Sequence, residues 1–114
     1  MKKFFITAAV ALMSMTAMAQ TTNYNVRWAN HPEDAKHYTT ERLRKEFLIE
    51  KVFAPNEVNW TYTMYDRFLV GGAMPVDAPI KLQTIEPLLA KTLLENREIG
   101  IINIGGPGVV EVDG

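Results

Sequence analysis

Cysteine is absent from all 114 residues, which excludes disulfides and thiolate metal sites. A chain that reads as secreted and has no disulfides must rely on its core. Histidine is scarce: His31 and His37 are the two in the chain. Their spacing is a weak metal pair, because a metal site needs a third and a fourth ligand from the fold. The plainer reading is two surface histidines. Basic charge is not in excess, with 12 Lys and Arg against 13 Asp and Glu. Without a basic patch, nucleic acid is not an expected partner. No Gly-x-Gly-x-x-Gly or P-loop pattern occurs. Gly105-Gly106-Pro107-Gly108 lacks the Lys-Ser/Thr that phosphate binding needs and leads into valines, so it reads as a turn. Nor does any apolar run reach the roughly 20 residues that a bilayer crossing requires.

The longest apolar run, residues 4–13, is interrupted only by Thr7. Lys2 and Lys3 precede it, and Ala17-Met18-Ala19 follows as a small-x-small cleavage signature. This three-part pattern reads as a secretory signal peptide over 1–19, with Gln20 as the mature N-terminus. Removing Lys2 and Lys3 leaves ten basic residues against thirteen acidic, a net charge near −3. The expected location is periplasmic or secreted.

The stretch around which the rest is organised is 93–114. Ile99, Ile101, Ile102 and Ile104 form a β-branched run, the Gly-Pro-Gly cluster stops it, and Val109, Val110 and Val112 resume it. Two strands around a Gly-rich loop predict an antiparallel hairpin, with Ile104 opposite Val109 and Ile101 opposite Val112. Alternation then places Ile99, Ile101, Val110 and Val112 on one face, and Ile102, Ile104, Val109 and Glu111 on the other. Both faces are apolar near the turn, so the hairpin expects cover on two sides. Asp113-Gly114 is a favoured two-residue turn, and the domain over 20–114 is expected to be incomplete.

Upstream, Asn25-Val26-Arg27-Trp28 suits a short edge strand, and Pro32-Glu33-Asp34 a turn or one helical turn. Thr40 as N-cap, with Glu41 at the positive end of the dipole, predicts a helix over 40–46. Strands are expected over 47–53 and, from clear alternation of Trp60, Tyr62 and Met64 with Thr61, Thr63 and Tyr65, over 58–65. Residues 67–74 run into Gly71-Gly72, where a bulge or close backbone approach is expected. A short strand over 80–82 and a helical turn over 86–91, started by Pro87, complete the count. About six short strands and two short helices make the class mainly β, a sandwich or barrel.

Residue chemistry points to no active site. Glu50, Glu57, Asp66, Glu95 and Glu98 show no telling pair spacing, and their default is a solvated face or an ion pair with Lys51, Arg67 or Arg97. The two tryptophans and four tyrosines could stack on sugar rings, but such residues more often cover a core.

The order of several blocks is more specific. Tyr24-Asn25-Val26-Arg27, the run from His31 through Lys36 (HPEDAK) and the run from Leu43 through Phe53 (LRKEFLIEKVF) resemble the start of the 5-dehydro-4-deoxy-D-glucuronate isomerases. These are also called 5-keto-4-deoxyuronate isomerases or 4-deoxy-L-threo-5-hexosulose-uronate ketol-isomerases. Tyr65 through Pro75 (YDRFLVGGAMP) and Arg97 through Gly106 (REIGIINIGG) match the same family in the same order. One departure is Asn96, where the family shows paired arginines before the glutamate.

The resemblance implies a cupin-like β-barrel, the first half of a bicupin. It implies a zinc enzyme of pectin and uronate breakdown, a homo-oligomer when full length, acting on a small-molecule uronate. The reaction interconverts 5-dehydro-4-deoxy-D-glucuronate and 3-deoxy-D-glycero-2,5-hexodiulosonate. Family zinc ligands lie in the second half, in a His-x-His-x4-Glu motif and a later histidine. That motif is missing here, so no catalytic, cofactor-binding or metal residue is assigned. Family members commonly work inside the cell, which makes the cytoplasm the alternative location. A second reading of the chain is a secreted, non-catalytic sugar-acid-binding β module.

Overall fold

The computed structural model describes residues 20–114. The signal-peptide reading of 1–19 therefore lies outside the described residues. Three strands form one sheet in the order β1 (Thr21–Arg27), β2 (Glu57–Thr63) and β3 (Leu69–Ala73). β1 runs parallel to β2, with Tyr24 beside Trp60 and Arg27 beside Thr63. β3 runs antiparallel to β2, with Gly71 beside Trp60 and Gly72 beside Asn59. Mainly β is the right class, on a smaller sheet than expected.

A parallel pair needs a long crossover, and residues 28–56 supply it. It holds α1 (Pro32–Ala35) and α2 (Thr40–Phe47). Pro32 takes the first position of α1, where its missing N–H is no loss. The cap of α2 is Thr39, one residue before the expected Thr40, and its hydroxyl accepts from the Arg42 N–H at 3.3 Å. Glu41 sits in the first turn and Arg44 and Lys45 in the last, each complementing the helix dipole.

The two faces of the sheet follow from alternation along β2. Val58 and Tyr62 are buried on one face. The segment after β3 crosses that face. There the Tyr24 hydroxyl donates to Glu86 at 3.2 Å, and the Arg97 guanidinium lies over the Tyr62 ring at 5.4 Å. Ile85 and Leu93 from this segment complete the buried apolar set among the described residues. On the other face, Gly72 meets the crossover. A Cβ there would lie 2.7 Å from Val52 Cγ1, from the Val52 carbonyl and from the Phe53 ring. The close backbone approach expected at Gly71-Gly72 is therefore real, and the unbroken register excludes a bulge.

Two expected strands upstream of the predicted hairpin, 47–53 and 80–82, are absent. Phe47 belongs to α2, and residues 48–53 lie over a sheet face instead of along an edge, so their backbone has no ladder to join. Arg27 fixes this segment by donating to the Leu48 carbonyl at 3.1 Å. Residues 80–82 pair with a side chain: the Lys81 N–H donates to Gln20 Oε1 at 2.8 Å, and Gln20 Nε2 donates to the Lys81 carbonyl at 2.6 Å. One amide side chain thus imitates a strand neighbour. The helical turn expected over 86–91 is a 3-10 turn, Glu86–Leu88, closed by Leu89 in the left-handed region.

The predicted hairpin is the largest correction. Residues 99–112 form no ladder, and Asn103 instead makes a local loop, accepting from the Gly105 N–H and donating to the Gly106 carbonyl, both at 3.0 Å. Tight primed hairpin turns need positive φ, and neither Gly105, Gly106 nor Gly108 has it. A lone two-stranded hairpin is also marginal in water, and nothing among the described residues covers either face.

Candidate functional site

α2 and the sheet enclose a small hollow of about 110 Å³ lined by Arg27, Glu46, Phe47, Ile49, Thr61, Thr63 and Tyr65. Arg27 reaches it as the last residue of β1, beside Thr63, and its buried Nε has no hydrogen-bond partner. Glu46 arrives from the last turn of α2 and accepts from Asn30 Nδ2 at 3.4 Å. The Tyr65 hydroxyl accepts from the Asn30 N–H at 2.8 Å. Small-molecule sites run to about 300–1,000 Å³, so this hollow is too small for a hexose-derived acid and holds a few water molecules at most. Sequence reasoning missed this cluster. Its signal was the polar row Asn23, Asn25, Arg27 on every second position of β1.

A second hollow of about 310 Å³ lies over Asp34, His37, Tyr38 and Arg42. The Arg42 guanidinium stacks on Tyr38 at 3.8 Å, so the ring face that a sugar would use is already occupied. The other histidine is committed to structure: His31 Nδ1 accepts from the Glu33 N–H at 3.2 Å and caps α1. The two histidines are not brought together on a shared ligand, and the described residues contain no group of three His, Asp or Glu placed to hold a metal ion. They do not fit a zinc site.

The acidic residues are dispersed. Glu50 pairs with Arg44 at 2.7 Å, a partner the spacing did not suggest. Glu57 pairs with Lys51 at 2.8 Å, as the sequence allowed. Glu95 accepts from the Lys91 N–H at 2.6 Å, and Asp66 takes positive φ in the turn before β3. Arg97 donates to the Arg67 carbonyl at 2.8 Å. Of the tryptophans, Trp28 is exposed, while Trp60 has a buried Nε1 without a partner.

Two groups depart from ordinary titration. The Lys51 ammonium, by donating to Glu57, holds that carboxyl below its usual range, and Asn59 adds to the effect. The nearby Glu86 carboxylate, with some burial and the hydrogen bond, raises the Tyr24 phenol. Both are surface effects and make no acid–base pair. Because Glu57 is depressed in the fold, its contribution to stability is present above the ordinary carboxylate value and is lost as pH falls through the lowered value. Lys51→Met is expected to move the Glu57 titration upward in an NMR pH series. An unchanged midpoint would show that the ion pair does not form in solution. For Tyr24 the sign reverses, and its contribution is lost as pH rises through the raised value.

No helix among the described residues is long and apolar enough to cross a membrane. No protein-family profile matches the chain. Individual curated proteins do. The chain is 60% identical over 90 residues to 4-deoxy-L-threo-5-hexosulose-uronate ketol-isomerase 1 of Bacteroides thetaiotaomicron, covering 79% of this chain and 32% of that protein. It is 61% identical over 89 residues to the Bacteroides fragilis protein of the same name, covering 78% and 32%. The Formosa agariphila protein of that name is 48% identical over 93 residues, covering 82% and 33%. The chain thus spans about a third of the length of the curated relatives it matches. Over about four-fifths of its own length, it is a relative of the 4-deoxy-L-threo-5-hexosulose-uronate ketol-isomerases.

Proposed function

We propose that this chain is the scaffold part of a uronate ketol-isomerase. The observation that carries the reading is 60% identity over 90 residues to a protein of that name. A ketol isomerisation moves a proton between adjacent carbons through an enediolate. It needs a positioned acid–base group and stabilisation of the developing oxyanion. The described residues supply a sheet with a helical crossover and no such group. The acid–base residues, and the ligands of the zinc that the resemblance implies, are therefore assigned to polypeptide outside this chain. The three-stranded sheet is read as part of a cupin-like barrel half, in an enzyme of uronate and pectin breakdown that assembles from several copies.

The test is a chimera in which the matched 90-residue segment of the Bacteroides thetaiotaomicron relative is replaced by this chain's own. Turnover of 4-deoxy-L-threo-5-hexosulose uronate within about tenfold of the parent, a difference of about 1.4 kcal/mol in transition-state binding, supports the reading. A folded chimera without turnover overturns it.

Location belongs to the same proposal. Lys2-Lys3, the apolar run at 4–13 and Ala17-Met18-Ala19 mark the chain for export. Fractionation of cells expressing the gene is expected to recover the protein in the periplasm or medium, starting at Gln20. Recovery in the cytoplasm with residues 1–19 attached would refute this.

A further inference from the structure

Gln20 stands immediately before β1 and reaches sideways to a segment 61 residues away. Its Nε2 donates to the Lys81 carbonyl at 2.6 Å, and its Oε1 accepts from the Lys81 N–H at 2.8 Å. Nε2 also donates to the Thr22 hydroxyl at 3.2 Å. Both ends of one planar amide are thus committed. Lys81 leads to the buried Ile85, so this clamp ties the start of β1 to the segment that closes the apolar face. On the export reading given above, cleavage after Ala19 turns the Gln20 backbone N–H into a free α-amine. A glutamine in that position carries both reactants of a ring closure. The amine lone pair attacks Cδ, and the N–Cδ bond forms. The Cδ–Nε2 bond breaks, one amine proton passes to Nε2, and ammonia leaves. The product is a pyroglutamyl lactam, and no oxidant or reductant is needed. The neutral amine is the nucleophile, and its ordinary pKa of about 7.7–8.0 makes it available at mildly alkaline pH.

We propose that Gln20 is a modification site, an N-terminal glutamine able to form pyroglutamate, and that its clamp on Lys81 holds the reaction back. Ring closure requires the amine and Cδ to come within about 3–3.5 Å with their orbitals aligned. The side chain must therefore curl back onto its own backbone. In the fold it reaches away, to Lys81. Attack on Cδ also comes from above the amide plane and destroys its planarity, whereas the paired bonds to the Lys81 backbone hold a planar amide. The product has no Nε2, so the bonds to the Lys81 carbonyl and the Thr22 hydroxyl are lost in every case. Clamp and lactam exclude each other. Folding protects Gln20, and a chain that cyclises loses the tie between the start of β1 and residues 80–82.

The test uses the chain exported by cells that express the gene. Its N-terminus is read by mass spectrometry, and it is incubated at mildly alkaline pH with and without guanidinium chloride. Cyclisation is read as the loss of the mass of one ammonia. The folded chain is expected to cyclise at least about tenfold more slowly than the denatured one, because the clamp's hydrogen bonds must first be released. Equal rates overturn the proposal, and so does material already fully cyclised at purification. Lys81→Pro lacks the N–H that Gln20 Oε1 accepts from, and its folded form is expected to cyclise at nearly the denatured rate. A folded Lys81→Pro chain that cyclises as slowly as the parent overturns the clamp. Should that variant not fold, hydrogen exchange in the parent chain decides. The Lys81 amide is expected to exchange on the order of tenfold faster once Gln20 has cyclised, and unchanged exchange overturns the clamp. A chain recovered with Met1 attached refutes the export reading and removes the site with it. A chain that starts at Gln20 and shows equal rates overturns the protection alone, so the two failures are distinguishable.

Discussion

Tyr62→Ala is expected to abolish the cooperative unfolding of this chain. Tyr62 is 5% exposed near the end of the central strand, and the buried apolar set around it is Val58, Ile85 and Leu93. Truncating a buried aromatic to alanine costs about 3–5 kcal/mol. A typical domain has only about 5–15 kcal/mol in total, and a core of this size places the chain at the low end. The same change removes the ring beneath the Arg97 guanidinium, a contact of about 0.5–1 kcal/mol at an exposed site. The segment after β3 then loses both its apolar anchor and the ring beneath its Arg97 cation. Val109→Ala is the comparison: at 95% exposure it should change stability by no more than about 0.5 kcal/mol. Urea unfolding followed by circular dichroism measures both. If Tyr62→Ala proved no more harmful than Val109→Ala, the face defined by Val58 and Tyr62 would not be the core.

The second large effect is expected at Gly72. It does not depend on backbone conformation, since the φ of Gly72 is not positive. It depends on space: the crossover passes so close that a Cβ would lie 2.7 Å from two side chains and from the Val52 carbonyl. The side chains can turn aside, but the carbonyl can move only with residues 48–53. Overpacking of a filled site costs about 1–3 kcal/mol and occasionally more, and a backbone obstacle puts Gly72→Val at the upper end. Gly71→Val meets the Trp60 ring and, at 2.5 Å, the Asn59 carbonyl, and should be as harmful. Gly106→Ala, with open space around it, should be nearly neutral. A thermal melt of the three variants decides the matter. Equal melting temperatures would mean that the crossover does not lie on the sheet.

The candidate site was legible only in part. The glutamates were expected to end on a solvated face or in ion pairs, and Glu50 and Glu57 do so because each has a cation six residues away on an exposed segment. The cluster around Arg27 was not legible. Arg27, Glu46 and Thr61 are far apart in sequence, and they meet because a parallel crossover lays α2 over β1 and β2. Pattern along a chain describes what a segment can do by itself, and a cavity belongs to several segments at once.

What the sequence determined by itself is therefore local or comparative. The alternation of Trp60 and Tyr62 with Thr61 and Thr63 marked β2 as a strand, because side-chain direction in a strand repeats every two residues, but the expected half-burial gave way to cover on both faces, with Thr61 as buried as Tyr62. Thr39-Thr40-Glu41 started a helix and Pro32 another, because caps act on the nearest turn. The ordered blocks, from Tyr24-Asn25-Val26-Arg27 to Arg97-Glu98-Ile99-Gly100, carried the likeness to uronate ketol-isomerases without any folding argument. Only the tertiary structure decided which extended segments became strands. Residues 21–27 found β2 as a parallel neighbour, residues 80–82 found the Gln20 amide, and residues 48–53 and 99–112 found no ladder. The physical reason is that a strand is defined by hydrogen bonds to a neighbour. The β-branched residues of 99–112 favour extension and cannot supply the partner.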